Sequence, residues 1–197
     1  MNNLSNQIPQ TDLVTLVTSD DVVIGSMDKL EAHRGEGKLH RAISVFMFRE
    51  NASGEYELLI QQRSAKKIVG TLQWANTACG NVWPDESYEA CARRRLEAEL
   101  GITNDENGKP IELHPVEKFQ YQVRCNDEFS ENEIDQVFMG WFEGTVAPNP
   151  DEVAAIEWVS WEKVCDRAVS KDWAPWFVIM LERNDLLLKL SKNLGEK

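Results

Sequence analysis

An α+β domain, with a mixed β-sheet layered between helices, is the fold class that this sequence predicts. Three observations predict it. Strand-like runs stand both before and after one strongly marked central helix, and the two types do not alternate regularly as they would in a doubly wound sheet. That helix repeats Ala92, Leu96 and Leu100 at four-residue spacing, which marks a single core-facing stripe. The last forty or so residues carry helix signals, including Pro175 where a first turn tolerates proline.

At 197 residues the chain is most simply one domain, 1–197, with a polar stretch 1–10 expected to be a loose tail. The formal net charge of −12 repels nucleic acid and anionic membranes, so neither is an expected partner. A local basic pocket for a small anion is still compatible with that field. Cys79, Cys91, Cys125 and Cys165 lack metal-type pair spacing, and the sequence shows no signal peptide or apolar span. Free thiols, a cytoplasmic location and a monomer or homodimer are the expectation.

Taken in order, Leu13 to Val17 reads as a strand, Ser19-Asp20-Asp21 as a turn and Val22 to Ile24 as the returning strand. Met27 to Arg34 is expected to be short and helical or irregular, followed by a loop loosened by Gly35 and Gly37. Ile43 to Phe48 and Tyr56 to Gln62 are strands around a turn at Glu50 to Gly54, and Arg63 to Lys67 is a basic loop. From Trp74 a buried strand is expected to end in a small-residue turn at Ala78-Cys79-Gly80. The helix after it runs over Glu86 to Glu99, with Pro84 and Asp85 suiting its start and Gly101 its end. Thr103 to Pro110 is polar turn, and His114, beside a proline, is placed in a loop and given no role. Phe119 to Arg124 alternates as a strand, Asn126 to Asn132 is an acidic loop, and Ile134 to Phe142 and Ala155 to Ser160 are strands. Trp161 to Ala168 is a short helix, and a longer one runs from Pro175 to about Leu190.

Several residue sets suit chemistry, each with a plainer reading beside it. His33 and His40 flank a glycine-containing loop and could ligate a metal, or could be two surface histidines. Glu131 and Glu133, two apart in an extended segment, point to one face; they supply metal ligands or an acid/base, unless they simply belong to a solvated acidic loop. Cys79 is either reactive or a small buried hydrophobe. Lys29, Arg63, Lys67 and Arg95 would suit a diphosphate if they converge. Arg95 and Glu99 share a helix face, as an exposed ion pair or as a phosphate-and-metal pair. Trp176 and Tyr121 offer aromatic surface to a developing positive charge, whereas burial in the core is the common fate of a tryptophan.

Together these residues resemble a known family. Gly80, Glu86, Arg94, Glu99 and Gly101-Ile102 look like a worn Nudix box, with Arg95 and Ala98 standing where two of its glutamates are usual. That loss disfavours ordinary Nudix diphosphate hydrolysis. The altered box, with Lys29, His33 and His40, the Arg63 to Lys67 loop, Trp74 to Gly80, Tyr121, Glu131-Asn132-Glu133 and Trp176, resembles the type 1 isopentenyl-diphosphate isomerases over roughly Leu13 to Leu190. The resemblance implies a Nudix-like fold and allylic isomerisation of a prenyl diphosphate through a tertiary carbocation. Cys79 and Glu133 would move the protons, Tyr121 would assist and Trp176 would stabilise the cation. His33, His40, Glu131 and Glu133 would bind a divalent metal (Mn2+, Mg2+ or Zn2+). Mg2+ would bridge Glu99 and the diphosphate, with Lys29, Arg63, Lys67 and Arg95 around the phosphates. Asn81 stands where the family places a metal-binding histidine, and an amide oxygen there is a harder, weaker ligand. The rival readings are different chemistry on another prenyl diphosphate, such as cyclisation, and a Nudix hydrolase.

Overall fold

The computed structural model describes residues 12–105 and 107–195. The expected N-terminal tail lies outside them. Among the described residues nine strands form one mixed sheet. β1 (Leu13–Val17) and β2 (Val23–Asp28) make the opening antiparallel hairpin. α1 (Lys29–His33) follows directly, its first turn capped by the Asp28 carboxylate, which accepts from the Glu31 N–H.

The sheet is built around β3 (His40–Glu50). This strand runs antiparallel to β4 (Tyr56–Arg63) and β6 (Ala78–Asn81), and parallel to β8 (Ser130–Trp141). On the far side of β8 lies β7 (His114–Arg124), antiparallel to it. β4 also pairs with β9 (Val153–Ser160) and with the short β5 (Trp74–Ala75).

Helices cover both faces, and the two-residue period of β3 assigns its side chains between them. Ile43, Val45 and Met47 pack with Ala92, Leu96 and Leu100 of α2 (Tyr88–Leu100). Phe46 and Phe48 pack on the other side with Trp161 of α3 (Trp161–Cys165), Phe177 of α4 (Pro175–Glu182) and Leu186 of α5 (Asn184–Leu194). A strand buried on both faces explains why 42–48 reads as an apolar run with little alternation. Each large side chain so buried contributes roughly 1.5–3 kcal/mol.

Several local expectations are corrected. Ala78-Cys79-Gly80 is strand, not turn: β6 pairs residue by residue with Ala42 to Val45. The central helix starts at Tyr88, two residues later than expected. Asp85 takes a left-handed φ of 63°, Glu86 turns back to accept the Trp83 N–H, and Ser87 is the N-cap, its hydroxyl accepting from Ala90 N. The helix does end at Gly101, whose φ of 66° lets Gly101 and Ile102 donate back to Glu97 and Leu96. The helix from Pro175 breaks at Arg183, which is extended because its guanidinium pairs with Glu117 at 2.6 Å and stacks 4.1 Å from the Phe119 ring centre. His114 opens β7 and does not sit in a loop.

Candidate active site

A cavity of about 490 Å³ opens beside β3, walled by α1, β6, β8, the loop after β4 and the start of α4. Most of the residues singled out in the sequence line it: Lys29, His33, Arg63, Lys67, Cys79, Asn81, Arg95, Tyr121, Glu131, Glu133 and Trp176. His40 and Glu99 do not line it; both are buried behind its wall.

One half of the cavity is acidic and is set by strand register. Glu131 and Glu133 project from the same face of β8, as residues two apart must. Glu133 is opposite His40 across the parallel β3–β8 pair and opposite Tyr121 across β7–β8. His33 arrives from the last turn of α1. Ligating atoms of His33, His40, Glu131 and Glu133 all lie within 4.8 Å of one another, so these four form a buried group that could hold a divalent metal. The donor chemistry fits such an ion. Each histidine places Nδ1 against a backbone carbonyl, Lys29 at 2.6 Å and Lys38 at 2.7 Å. With Nδ1 donating there, each Nε2 is left to face a carboxylate, Glu131 at 2.8 Å and Glu133 at 3.3 Å, and loss of its proton would free it to ligate an ion. Asn81 stands at the edge of the group, where its amide nitrogen donates to His40 Nε2 at 2.9 Å and to Glu133 at 3.1 Å. Presenting oxygen to a metal requires that amide to turn over.

Burial dominates the titration of this half. It raises Glu133, as does the neighbouring Glu131 charge, and it raises Tyr121, whose hydroxyl donates to Glu133. Burial would raise Glu131 too, but His33 brings it below the usual carboxylate range. His40 is lowered by desolvation.

The other half is basic. Lys29 extends from α1, Arg63 and Lys67 come from the end of β4 and the loop after it, and Arg95 comes from α2. All four line the one cavity, and desolvation together with the charges of Lys67, Arg95 and Arg63 holds the Lys29 pKa below its ordinary value. Gly80 lets Arg95 cross β6, because a Cβ there would meet Arg95 Cδ at 2.8 Å. Glu99 pairs with Arg95 at 2.6 Å and is only 2 % exposed, so this is not the exposed helix pair considered from spacing. Its second oxygen accepts from Gln61, which leaves Arg95, and not Glu99, facing the cavity.

Cys79 lies between the halves. It is opposite Ser44 on one edge of β3, while Glu133 is on the other edge. Burial pushes its thiol up to about 12, with Arg63, 3.6 Å away, working against the rise. Trp176 is both core and site: it is 3 % exposed, belongs to the apolar cluster under α4, and carries Arg63 at 4.9 Å from its ring centre.

Sequence reasoning missed Gln61, which fixes Glu99, and Glu152, which pairs with both Lys67 and Arg95. Neither sits in a motif; only the juxtaposition of distant segments identifies them.

The NUDIX domain family matches residues 38–177, and the chain belongs to that family. Among curated proteins, one named isopentenyl-diphosphate Delta-isomerase from Burkholderia multivorans is 38% identical, covering 87% of this chain and 92% of its own. One of the same name from Streptomyces coelicolor is 34% identical over 90% of this chain and 86% of its own. An isopentenyl-diphosphate Delta-isomerase 1 from Aromatoleum aromaticum is 40% identical over 75% and 77%. At that identity and coverage, the particular Nudix family to which the chain belongs is that of the isopentenyl-diphosphate Delta-isomerases. Solved structures agree on the fold: a Deinococcus radiodurans protein superposes with a TM-score of 0.67 at 21% identity, covering 87% of this chain and 98% of its own. A MutT protein from Methanosarcina mazei gives 0.56 at 20%, covering 79% and 95%.

Proposed function

We propose that this chain interconverts isopentenyl diphosphate and dimethylallyl diphosphate. The observation that carries the reading is the placement of Cys79 and Glu133 on opposite edges of β3, both lining one cavity that Lys29, Arg63, Lys67 and Arg95 also line. Lys29, Arg63, Lys67 and Arg95 bind the diphosphate and so fix the alkene between the two proton-moving groups. One of Cys79 and Glu133 delivers a proton to the terminal alkene carbon; the other removes one from the methylene next to the cationic carbon, so the double bond moves with no net gain of protons. The tertiary cation between these steps is stabilised by the π face of Trp176. Tyr121 holds the Glu133 carboxylate by its hydroxyl.

His33, His40, Glu131 and Glu133 would hold a divalent ion, Mn2+, Mg2+ or Zn2+, with Asn81 as a fifth, harder ligand through its oxygen. When bound, that ion supplies positive charge that anchors the Glu133 carboxylate. A Mg2+ ion shared by Glu99 and the diphosphate fits less readily, because Arg95 and Gln61 take both Glu99 oxygens. Arg95 and Ala98 at two box positions count against hydrolysis.

The test is proton NMR of isopentenyl diphosphate in D2O, with Mg2+ and with Mn2+, for the unaltered chain and Cys79→Ala. Deuterium entering the methyl and methylene positions as dimethylallyl diphosphate appears, and its loss in the variant, is the expected result. No exchange with either metal would remove the isomerase reading.

A further inference from the structure

The segment Asn149 to Glu152, just before β9, touches both elements that carry the deep phosphate-facing cations. Toward α2, the Asn149 N–H donates to the Glu99 carbonyl at 2.8 Å and its side-chain amide to the Ala98 carbonyl at 3.2 Å. Toward the basic loop, Ser64 N–H donates to the Glu152 carbonyl at 3.0 Å and Ser64 Oγ to the Asp151 carbonyl at 2.7 Å. The Glu152 side chain then spans the gap between them. Its Oε2 accepts from Arg95 Nη2 at 2.6 Å and also from Lys67 Nζ. Glu152 itself is not part of the cavity lining; it meets both cations from behind.

Lys67 and Arg95 belong to unconnected parts of the chain and carry like charge, so their approach is opposed until something neutralises it. Within the cavity a diphosphate would do so. Before a diphosphate arrives, Glu152 does. Burial would raise its carboxyl, yet the two cations hold it down to about 2, so the charge that bridges them is present at any physiological pH.

We infer that Glu152 is a positioning residue that sets Lys67 and Arg95 for an incoming diphosphate. This rests on the reading of the basic half as a diphosphate site. Its opposite is physically clear. If Glu152 merely competed with the substrate for the two cations, removing its charge would leave a more positive pocket and tighter anion binding. If it positions them, removing its charge frees Lys67 and leaves Arg95 held by Glu99 alone, so the two cations can spread apart and binding weakens despite the more favourable net charge.

Glu152→Gln keeps the size and removes the charge, so the sign of its effect decides. Titration calorimetry with inorganic diphosphate, in Mg2+ buffer, is expected to give a Kd about tenfold weaker than for the unaltered chain, the scale typical of lost outer partners of a ligand-binding group. Glu152→Asp should recover part of the loss, which a general folding defect would not, and circular dichroism confirms that each variant is folded. With isopentenyl diphosphate as substrate, KM should rise more than kcat falls. Equal or tighter diphosphate binding by folded Glu152→Gln overturns the inference while leaving the isomerase reading intact. Failure of the unaltered chain to bind diphosphate overturns both. Diphosphate binding that depends on Glu152 in a chain without isomerase activity upholds the inference and removes only the isomerase reading.

Discussion

The two halves of the cavity are built in different ways. The acidic half is carried on the sheet, apart from His33 of α1. His40 comes from β3, Glu131 and Glu133 from β8 and Tyr121 from β7, and their mutual placement follows from backbone register. The basic half collects side chains from α1, the end of β4, the loop after it and α2, and two of its cations are held by carboxylates: Arg95 by Glu99 and Glu152, and Lys67 by Glu152. Backbone register tolerates no small drift, since a slip of one residue turns every side chain to the other face. Long cationic side chains drift freely unless something pairs with them. The groups proposed to move protons therefore sit where precision is fixed by the fold, and two of those proposed to bind the anion, Lys67 and Arg95, where it depends on second partners.

This contrast gives its largest expected effect at Glu133. Glu133→Gln should lower isomerisation by about 10²–10⁴, the usual range for a lost acid/base group, while inorganic diphosphate binding changes by less than about threefold. NMR rates and calorimetry on the same preparation check it. Comparable losses in both would mean that the halves are not separable. Gly80→Ala inverts the experiment. The added Cβ meets Arg95 at 2.8–3.0 Å from three of its atoms, so the guanidinium must move while β6 keeps its ordinary backbone. Diphosphate binding should weaken by about tenfold. The Cys79 and Glu133 placements should survive, seen as unchanged kcat at saturating substrate.

The same contrast decides what could be read in the sequence. Period two brought Glu131 and Glu133 to one face, and Ala92, Leu96 and Leu100 marked the buried side of α2 as the core shows them. Ala-Cys-Gly is a small-residue sequence that suits turns, yet it forms β6; there the smallness of Gly80 makes room for Arg95 above a strand, a tertiary reason invisible locally. The break at Arg183 is likewise tertiary, fixed by Glu117 and Phe119 some sixty residues earlier. Convergence of the four cations was conditional in the sequence, since no spacing rule links α1, the basic loop and α2. Glu152 and Gln61 left no local signal at all, because each acts through side chains far away in the chain.

Acid unfolding sharpens the comparison at a smaller scale. The Glu152 carboxyl is held at about 2 in the folded chain, below its ordinary value of 4.5. A group with a depressed folded pKa contributes stability above its unfolded pKa and loses it as pH falls through the folded one. The stabilising effect of Glu152 should thus be complete near neutrality and fade between about pH 4.5 and 2. Melting curves should place unaltered chain above Glu152→Gln by about 1–3 °C at pH 7, with the difference closing toward pH 3. A gap that persists at low pH would mean that the glutamine variant is damaged for reasons other than charge.

The smallest expected effect is next door. Asp151 pairs with Lys66 at 2.5 Å, but their side chains are 69% and 70% exposed, and such pairs contribute only about 0–1 kcal/mol. The backbone carbonyl of Asp151, which accepts from Ser64, is kept in Asp151→Ala, so the loop remains docked. Calorimetry should find diphosphate affinity unchanged within about twofold, since water and salt screen this exposed pair. Asp151→Ala and Glu152→Gln each remove one negative charge from adjacent residues of one segment. If affinity responds to the second and not the first, the response follows the carboxylate that touches Lys67 and Arg95, and neither net charge nor loop integrity accounts for it. If both variants weaken binding alike, the basic half is governed by the docking of the whole segment, and its dependence on single side-chain partners, the contrast with the strand-built half, disappears.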